Sequence, residues 1–226
     1  MRINCQYNVA AANSVPVKLA YYQRRKMYSR FLVSAVPSES DAIIDVGVTS
    51  DREYDHSNYF EAWYPYKSRI TAVGIDDAAF IEAEFPGVKF VSADGCSLPF
   101  DDNSFDFAHS SAVIEHVGSR ERQIALVKEM WRVARKGIFV TTPNRWFPIE
   151  FHTLLPLLHW LPAKQFRRVL RRTGRGFFAL EENLNLVSRN DLMAIARAAS
   201  IHGAQISTVS LIGWPTNLLL FAAKTN

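Results

Sequence analysis

Two rhythms of apolar residues alternate along this chain, short β-branched runs and longer stretches of helical period. Ala42 to Asp45 reads as the core of a strand that closes on an acid and then on Gly47, as suits a central parallel strand buried on both faces. Further strands are predicted at Ile70–Ile75, ending in Asp76–Asp77; at Val88–Ser92, ending in Ala93–Asp94–Gly95; and at Phe105–His109, followed by Ser110 to Val117. A fifth, Gly137–Thr142, is stopped by Pro143–Asn144. Helical spacing covers Pro16–Ala35, Ala78–Glu84, Arg120–Ala134 and Arg189–Ala199, the last with Ser188 as its N-cap. A short helix around Asn58–Trp63 interrupts the aromatic loop after the first strand. Two closing strands, Ala204–Leu211 and Asn217–Ala223, are near enough in sequence to pair antiparallel.

Five strands alternating with helices, then a hairpin, predict one α/β domain with a doubly wound, mostly parallel sheet and an antiparallel C-terminal strand. Residues 145–187 break the alternation and read as an insertion over the carboxyl rim of the sheet. That rim is where open α/β sheets bind ligands. Phosphate-loop and glycine-rich dinucleotide signatures are both missing, since Gly47 is followed by Val-Thr-Ser-Asp.

With 48% hydrophobic and 21% charged residues, the chain has material for a sizeable core. Its net charge of +4 is local: Lys164, Arg167, Arg168, Arg171, Arg172 and Arg175 cluster together, and +4 less those six leaves −2 for the remainder. Such a patch gives no general case for nucleic acid as a partner. Cys5 and Cys96 make neither a disulfide framework nor a metal cluster, which favours a reducing compartment. The opening MRINCQYNVAAANS lacks the apolar core of a signal peptide, and no run approaches the ~20 apolar residues of a membrane span. A cytoplasmic protein is expected.

The segments IIDVG, TAVGIDD, VKFVSADGCSLPFDDNSFDF and SSAVIEHVG, in that order, resemble the class I S-adenosylmethionine-dependent methyltransferases, small-molecule branch. The resemblance covers roughly residues 42–144 and implies a Rossmann-like methyltransferase fold with S-adenosylmethionine as cofactor. It implies an N-terminal helical cap over 1–41, a cofactor-binding core over 42–144, a lid over 145–187 and a closing helix and hairpin over 188–226. Asp45 and Gly47 match the first motif, beside the methionine part of the cofactor. Asp76, with Asp77 beside it, matches the acid that accepts hydrogen bonds from the ribose hydroxyls. Asp94 matches the acid that takes the adenine amino group, with Gly95 and Cys96 at the ring; Ser110 and Ser111 fall at the cofactor's reactive end. Charged acceptors suit these roles because they give the stronger hydrogen bonds. Thr49 and Asp51 stand where the first motif has glycines.

The function implied is methyl transfer to an oxygen or nitrogen of a small, lipid-like or lipid-linked acceptor; the alternative is a methyltransferase-like binding or scaffold protein without catalysis. His116, His152 and Glu150 are the candidate catalytic residues, as a general base and its support; packed, hydrogen-bonded roles are the competing reading. Glu115–His116 resembles part of the metal site of ubiquinone-pathway O-methyltransferases, but Ala112 stands where that site has a further glutamate, and no metal is expected. The apolar run from Phe151 to Leu161 followed by the basic helix is the composition of an interfacial element, so peripheral contact at the inner membrane face through residues 151–175 is a further expectation.

Overall fold

The computed structural model describes residues 14–54 and 56–224. Cys5 and the opening segment, on which the compartment reading partly rests, lie outside the described residues. Helix α1 (Val15–Ala35) leads to β1 (Ile43–Val46), and α2 (Tyr59–Trp63) to β2 (Ile70–Gly74). Then follow α3 (Phe80–Glu84), β3 (Lys89–Ser92) and β4 (Phe105–Ser111). Helix α4 (Arg120–Val133) runs straight into β5 (Ala134–Pro143). After the insertion, which holds α5 (Ala163–Arg172), come α6 (Arg189–Ala198), β6 (Gln205–Leu211) and β7 (Trp214–Ala223). The seven strands form one sheet in the order β3-β2-β1-β4-β5-β7-β6, parallel except that β7 runs against both its neighbours.

Side chains alternate across the sheet, and each face has its own helical cover. Ile43, Phe107, Phe139 and Leu219 meet Met27 and Phe31 of α1, Phe60 of α2 and Ile81 of α3. Ile44, Ala108, Ile138 and Leu220 lie under Leu126, Val127 and Met130 of α4 and Leu192 and Ile195 of α6. Phe31 is wholly buried and its ring lies 5.3 Å from Phe60, 5.5 Å from Phe139 and 6.4 Å from Phe107. Truncating such a residue to Ala costs about 3–5 kcal/mol.

Three strands outrun their sequence patterns for identifiable reasons. Ser110 and Ser111 extend β4 because Val140 and Thr141 of β5 lie in register beside them. Strand β5 starts early because Ala134 pairs with Phe105. Strand β7 starts at Trp214 because Ile212 and Gly213 both take left-handed backbone (φ 48° and 79°), the two-residue turn that matches strand twist. A capping box between Ser188 and Asp191 starts α6 as expected.

The insertion has a small core of its own, formed by Phe166, Leu170, Phe178, Ala179 and Leu184, with Leu155, Leu158 and Leu161 packed partly against it. Helix α5 turns Phe166 and Leu170 inward, four positions apart, and leaves Arg168, Arg171 and Arg172 exposed. No helix among the described residues is long and apolar enough to cross a membrane.

Candidate active site

The carboxyl ends of β1 to β4 open into a cavity of about 510 Å³, closed by Arg24 of α1 on one side and by His152, Phe177, Glu182 and Asn183 of the insertion on the other. Gly47, Asp76, Asp94, Gly95, Ser111, His116 and His152 all line it. Gly47 has φ +106°, and a Cβ there would come within 2.0 Å of Val113, so the loop after β4 can cross β1's end only over a glycine.

Asp76 is half-buried at the end of β2, and burial raises its carboxyl above the ordinary range. Among the described residues its Oδ2 finds no hydrogen-bond donor; the nearby Ser50 hydroxyl, also buried, does not close the gap. An acceptor left in this state at a cavity wall costs about 1–3 kcal/mol and suits a ligand hydroxyl. Asp94 is differently placed. Its Oδ1 accepts from Cys96 N at 2.9 Å and its Oδ2 from Arg122 Nη2 at 2.8 Å. Burial would raise Asp94, but Arg122 and the Cys96 N–H together hold it below its usual value.

Five of the expected residues do not face the cavity, and strand geometry explains two of them, Asp45 and Ser110. Asp45 shares the face of Ile43 and accepts a hydrogen bond from His109 Nδ1 at 2.5 Å, while Tyr59 OH donates to His109 Nε2 at 3.3 Å. Glu61 of α2 joins this buried cluster. Burial raises Asp45 to about 7 and Glu61 well above its ordinary value, and pushes His109 down to about 3. Asp45 is thus a strut behind the first motif. Ser110 points into the sheet and donates to Val46 O at 2.7 Å. Asp77 is exposed and accepts from Ala79 N at 3.1 Å, starting α3. Cys96 sits behind Asp94, its thiol raised to about 11 by burial and then by that carboxylate. Glu150 is buried behind His152.

The candidate catalytic trio forms a continuous chain. His116 Nδ1 donates to Asn183 O at 2.7 Å, so its Nε2 carries the lone pair. That nitrogen lies 2.9 Å from His152 Nε2, and His152 Nδ1 donates to Glu150 Oε1 at 2.8 Å. Two bare lone pairs would repel at that distance; one proton between the rings makes the contact attractive. Burial lowers His116 to about 3, and although burial also opposes charge on His152, Glu150 raises it, so the shared proton belongs to His152. Glu150 is held at about 2 against the cost of its burial. As placed, neither histidine holds a spare basic nitrogen toward the cavity, so a general-base role requires the contact between them to open.

Several lining residues carry no sequence motif. Arg24 is a half-buried α1 residue with no carboxylate paired to it among the described residues. The loop that lacks the first motif's glycines is tied instead by Asn58, which accepts from Thr49 N at 2.9 Å and donates to Thr49 O at 3.0 Å. A second cavity of about 150 Å³ shares Arg24, Ser111, Ala112 and His152 with the first. Pro16, Val17, Ala20, Met27 and Phe151 give it apolar walls. Gln23 and Asn217 line it as well, and among the described residues the Gln23 amide and Asn217 Oδ1 are buried without partners. Ala112, between the two cavities, is held at φ 56°. Helical period along α1 would have paired Gln23 with Met27, but nothing in sequence joins α1 to the strand ends.

The strand order and the acids after β2 and β3 agree with the Rossmann-like methyltransferase fold that the sequence resemblance implies. Residues 56–141 match a family model described as a methyltransferase domain. The chain is 30% identical over 151 residues to demethylmenaquinone methyltransferase of Roseiflexus sp., an alignment covering 64% of this chain and 58% of that one. It is 36% identical over 52 residues to the tRNA (carboxymethyluridine(34)-5-O)-methyltransferase of Saccharomyces cerevisiae, covering 23% and 19%. The chain therefore spans well under two thirds of the length of these curated relatives. Its fold is shared with magnesium protoporphyrin IX methyltransferase of Synechocystis PCC 6803, solved with bound SAH, at a TM-score of 0.59, 14% identity and coverage of 97% and 91%. Residues 56–141 thus carry a methyltransferase domain, and these likenesses support the class I S-adenosylmethionine-dependent methyltransferase family for this chain.

Proposed function

We propose that this chain transfers a methyl group from S-adenosylmethionine to an oxygen or nitrogen of a small acceptor. The observation that carries the reading is Asp76 Oδ2, a buried acceptor without a donor among the described residues, on the wall of a cavity of about 510 Å³ at the strand ends. Asp76 would hold the ribose hydroxyls, Asp94 and Gly95 the adenine, and Gly47 would let the backbone approach the amino-acid end. Arg24, with no carboxylate paired to it among the described residues, would take the cofactor's own carboxylate and so do work that the missing glycines do elsewhere. When bound, the cofactor supplies a sulfonium methyl as electrophile. The chain's task is then alignment: walls that fix the acceptor atom in line with the methyl are worth several kcal/mol of barrier.

The smaller cavity is the acceptor's place on this reading, because it joins the larger one at Ser111, Ala112 and His152. Its apolar walls suit a lipid-like body, and the Gln23 amide and Asn217 Oδ1 suit a polar head with both a donor and an acceptor. The likeness to a demethylmenaquinone methyltransferase supports an apolar, quinone-like acceptor body, and leaves the methylated atom to the site itself. The size of this cavity favours a small molecule over nucleic acid. Peripheral membrane contact through residues 151–175 is part of the proposal, as the route by which a lipid-like acceptor reaches the rim. Titration calorimetry with S-adenosylmethionine and S-adenosylhomocysteine tests the core of the reading, with binding of both expected. A folded chain that binds neither is the scaffold alternative instead.

A further inference from the structure

We propose that Glu115, His116 and His152 form a binding site for one divalent transition-metal ion, Zn²⁺ or a close relative, at the junction of the two cavities. No metal is expected from the sequence, because Ala112 stands where the resembled site has its further glutamate; His152, 36 positions beyond His116, is brought to the other two residues only by the fold. Three potential ligand atoms converge: His116 Nε2 and His152 Nε2 are 2.9 Å apart, Glu115 Oε1 is 3.8 Å from His116 Nε2, and one ligand atom from each residue lies within 4.8 Å of the others. Glu115 Oε1 is buried and finds no hydrogen-bond donor among the described residues.

The atoms behind these ligands are as telling as the ligands. His116 Nδ1 is held by Asn183 O, His152 Nδ1 by Glu150 Oε1, and Glu115 Oε2 by the Thr142 hydroxyl at 3.0 Å. Each residue thus has its far atom fixed by a hydrogen bond and its near atom turned to a common point. Metal-binding histidines are oriented in this way, by a carboxylate or carbonyl on the second ring nitrogen. Two imidazoles and one carboxylate suit zinc and other first-row ions, and three protein ligands leave a position open for catalysis. With metal–nitrogen bonds of about 2.0–2.1 Å the two rings must part by only a few tenths of an ångström. The open side faces the cavities, because His116 lines the larger and His152 lines both.

The role of the ion rests on the methyl-transfer reading; its binding does not. An acceptor hydroxyl with its oxygen on the metal loses its proton to solvent more readily. That oxygen's electron pair then forms the new O–CH₃ bond while the S–CH₃ bond breaks, and the released pair stays on sulfur as the sulfonium becomes a thioether. The site therefore favours an acceptor with an ionisable hydroxyl.

The test uses the full chain, free of any histidine tag, stripped with chelator and then dialysed against Zn²⁺ or Co²⁺. One equivalent per chain is expected, with Co²⁺ giving the visible absorption bands of a low-coordinate nitrogen–oxygen site. Glu115→Gln and His152→Gln should each weaken binding by more than the roughly 10- to 100-fold that losing an outer-shell partner costs, and should alter the Co²⁺ spectrum. His202→Gln, at an exposed histidine, should change neither. Circular dichroism confirms that each variant is folded, and His116→Gln serves if one is not. Zn²⁺ binding no stronger than in a His116→Gln/His152→Gln double variant, or a Co²⁺ spectrum indifferent to Glu115→Gln, overturns the site. Titration of the stripped chain with S-adenosylhomocysteine reports separately on the methyltransferase reading.

Discussion

Asp45 Oδ1 and His109 Nδ1 lie 2.5 Å apart on adjacent strands β1 and β4, at positions directly in register and behind the cavity wall. The imidazole is stacked on Phe60 at 4.3 Å and on Phe139 at 5.9 Å. Burial therefore moves the two partners in opposite directions, Asp45 up to about 7 and His109 down to about 3. A raised carboxyl holds more protons folded than unfolded, so its contribution is lost as pH rises toward 7. A lowered histidine takes its proton only when unfolded, so its contribution is lost as pH falls below its ordinary value.

Between roughly pH 5 and pH 7 the raised carboxyls and the lowered histidine oppose each other, and removing either side should unmask the other. His109→Phe keeps the ring packing and should make the protein less stable at pH 7 than at pH 5. Asp45→Asn combined with Glu61→Gln, which leaves no raised carboxyl in the cluster, should do the reverse. Swings on the order of 1–2 kcal/mol are expected, since each pH unit of differential binding is worth about 1.4 kcal/mol. Urea midpoints at the two pH values measure this, and slopes of the same sign in both variants would refute it.

Asp76 offers a direct measure of cofactor recognition. Asp76→Ala should weaken S-adenosylhomocysteine binding by about 2–3 kcal/mol, the range for hydrogen bonds to a charged group. Thermal stability should stay nearly constant or rise slightly, because the carboxylate oxygen lost has no donor among the described residues. Unaltered affinity in calorimetry would remove the ribose assignment.

Arg24 separates the two ends of the cofactor. Arg24→Gln should lower affinity for S-adenosylhomocysteine by roughly tenfold or more, the loss of a charged hydrogen bond. The same variant should bind 5′-methylthioadenosine as the parent does, because that ligand has no amino-acid end. Equal losses for both ligands would mean that Arg24 supports the cavity wall and not the carboxylate.

The fold was legible because apolar runs of period two and period 3.6 are separated by turns along the whole chain. The wall of the main cavity was legible where strand ends and motif coincide, at Gly47, Asp76, Asp94 and Gly95. It was misplaced where face was ignored. Period two assigns Asp45 to the side of Ile43, and His109 to the side of Phe107, so their meeting away from the cavity follows from alternation alone. Ser110 follows Ala108 on the opposite face and is spent on Val46 O. The pairing of His116 with His152, and of Arg24 with the strand ends, was not legible, because each depends on how an insertion or an N-terminal helix is laid over the sheet.

The insertion carries the last prediction. Most of its apolar residues are partly buried and Arg167 pairs with Glu181 at 3.0 Å, which is how a simple lid would look. Yet Leu157 is 50% exposed, and Trp146 and Trp214, each 48% exposed, flank Trp160 at 6.2 and 6.5 Å. The exposed Arg168, Arg171 and Arg172 of α5 follow soon after Trp160 in the chain. Tryptophans beside cations are what a membrane–water boundary selects, and each basic residue near an anionic surface adds about 1 kcal/mol before screening. Sedimentation should show the chain with phosphatidylserine vesicles at low salt, less so at physiological salt, and not with neutral vesicles. Changing Arg167, Arg168, Arg171 and Arg172 to Gln should abolish that preference while leaving S-adenosylhomocysteine affinity unchanged, since none of the four lines the main cavity. Vesicle binding that ignores salt, lipid charge and these arginines would leave the insertion as a lid alone.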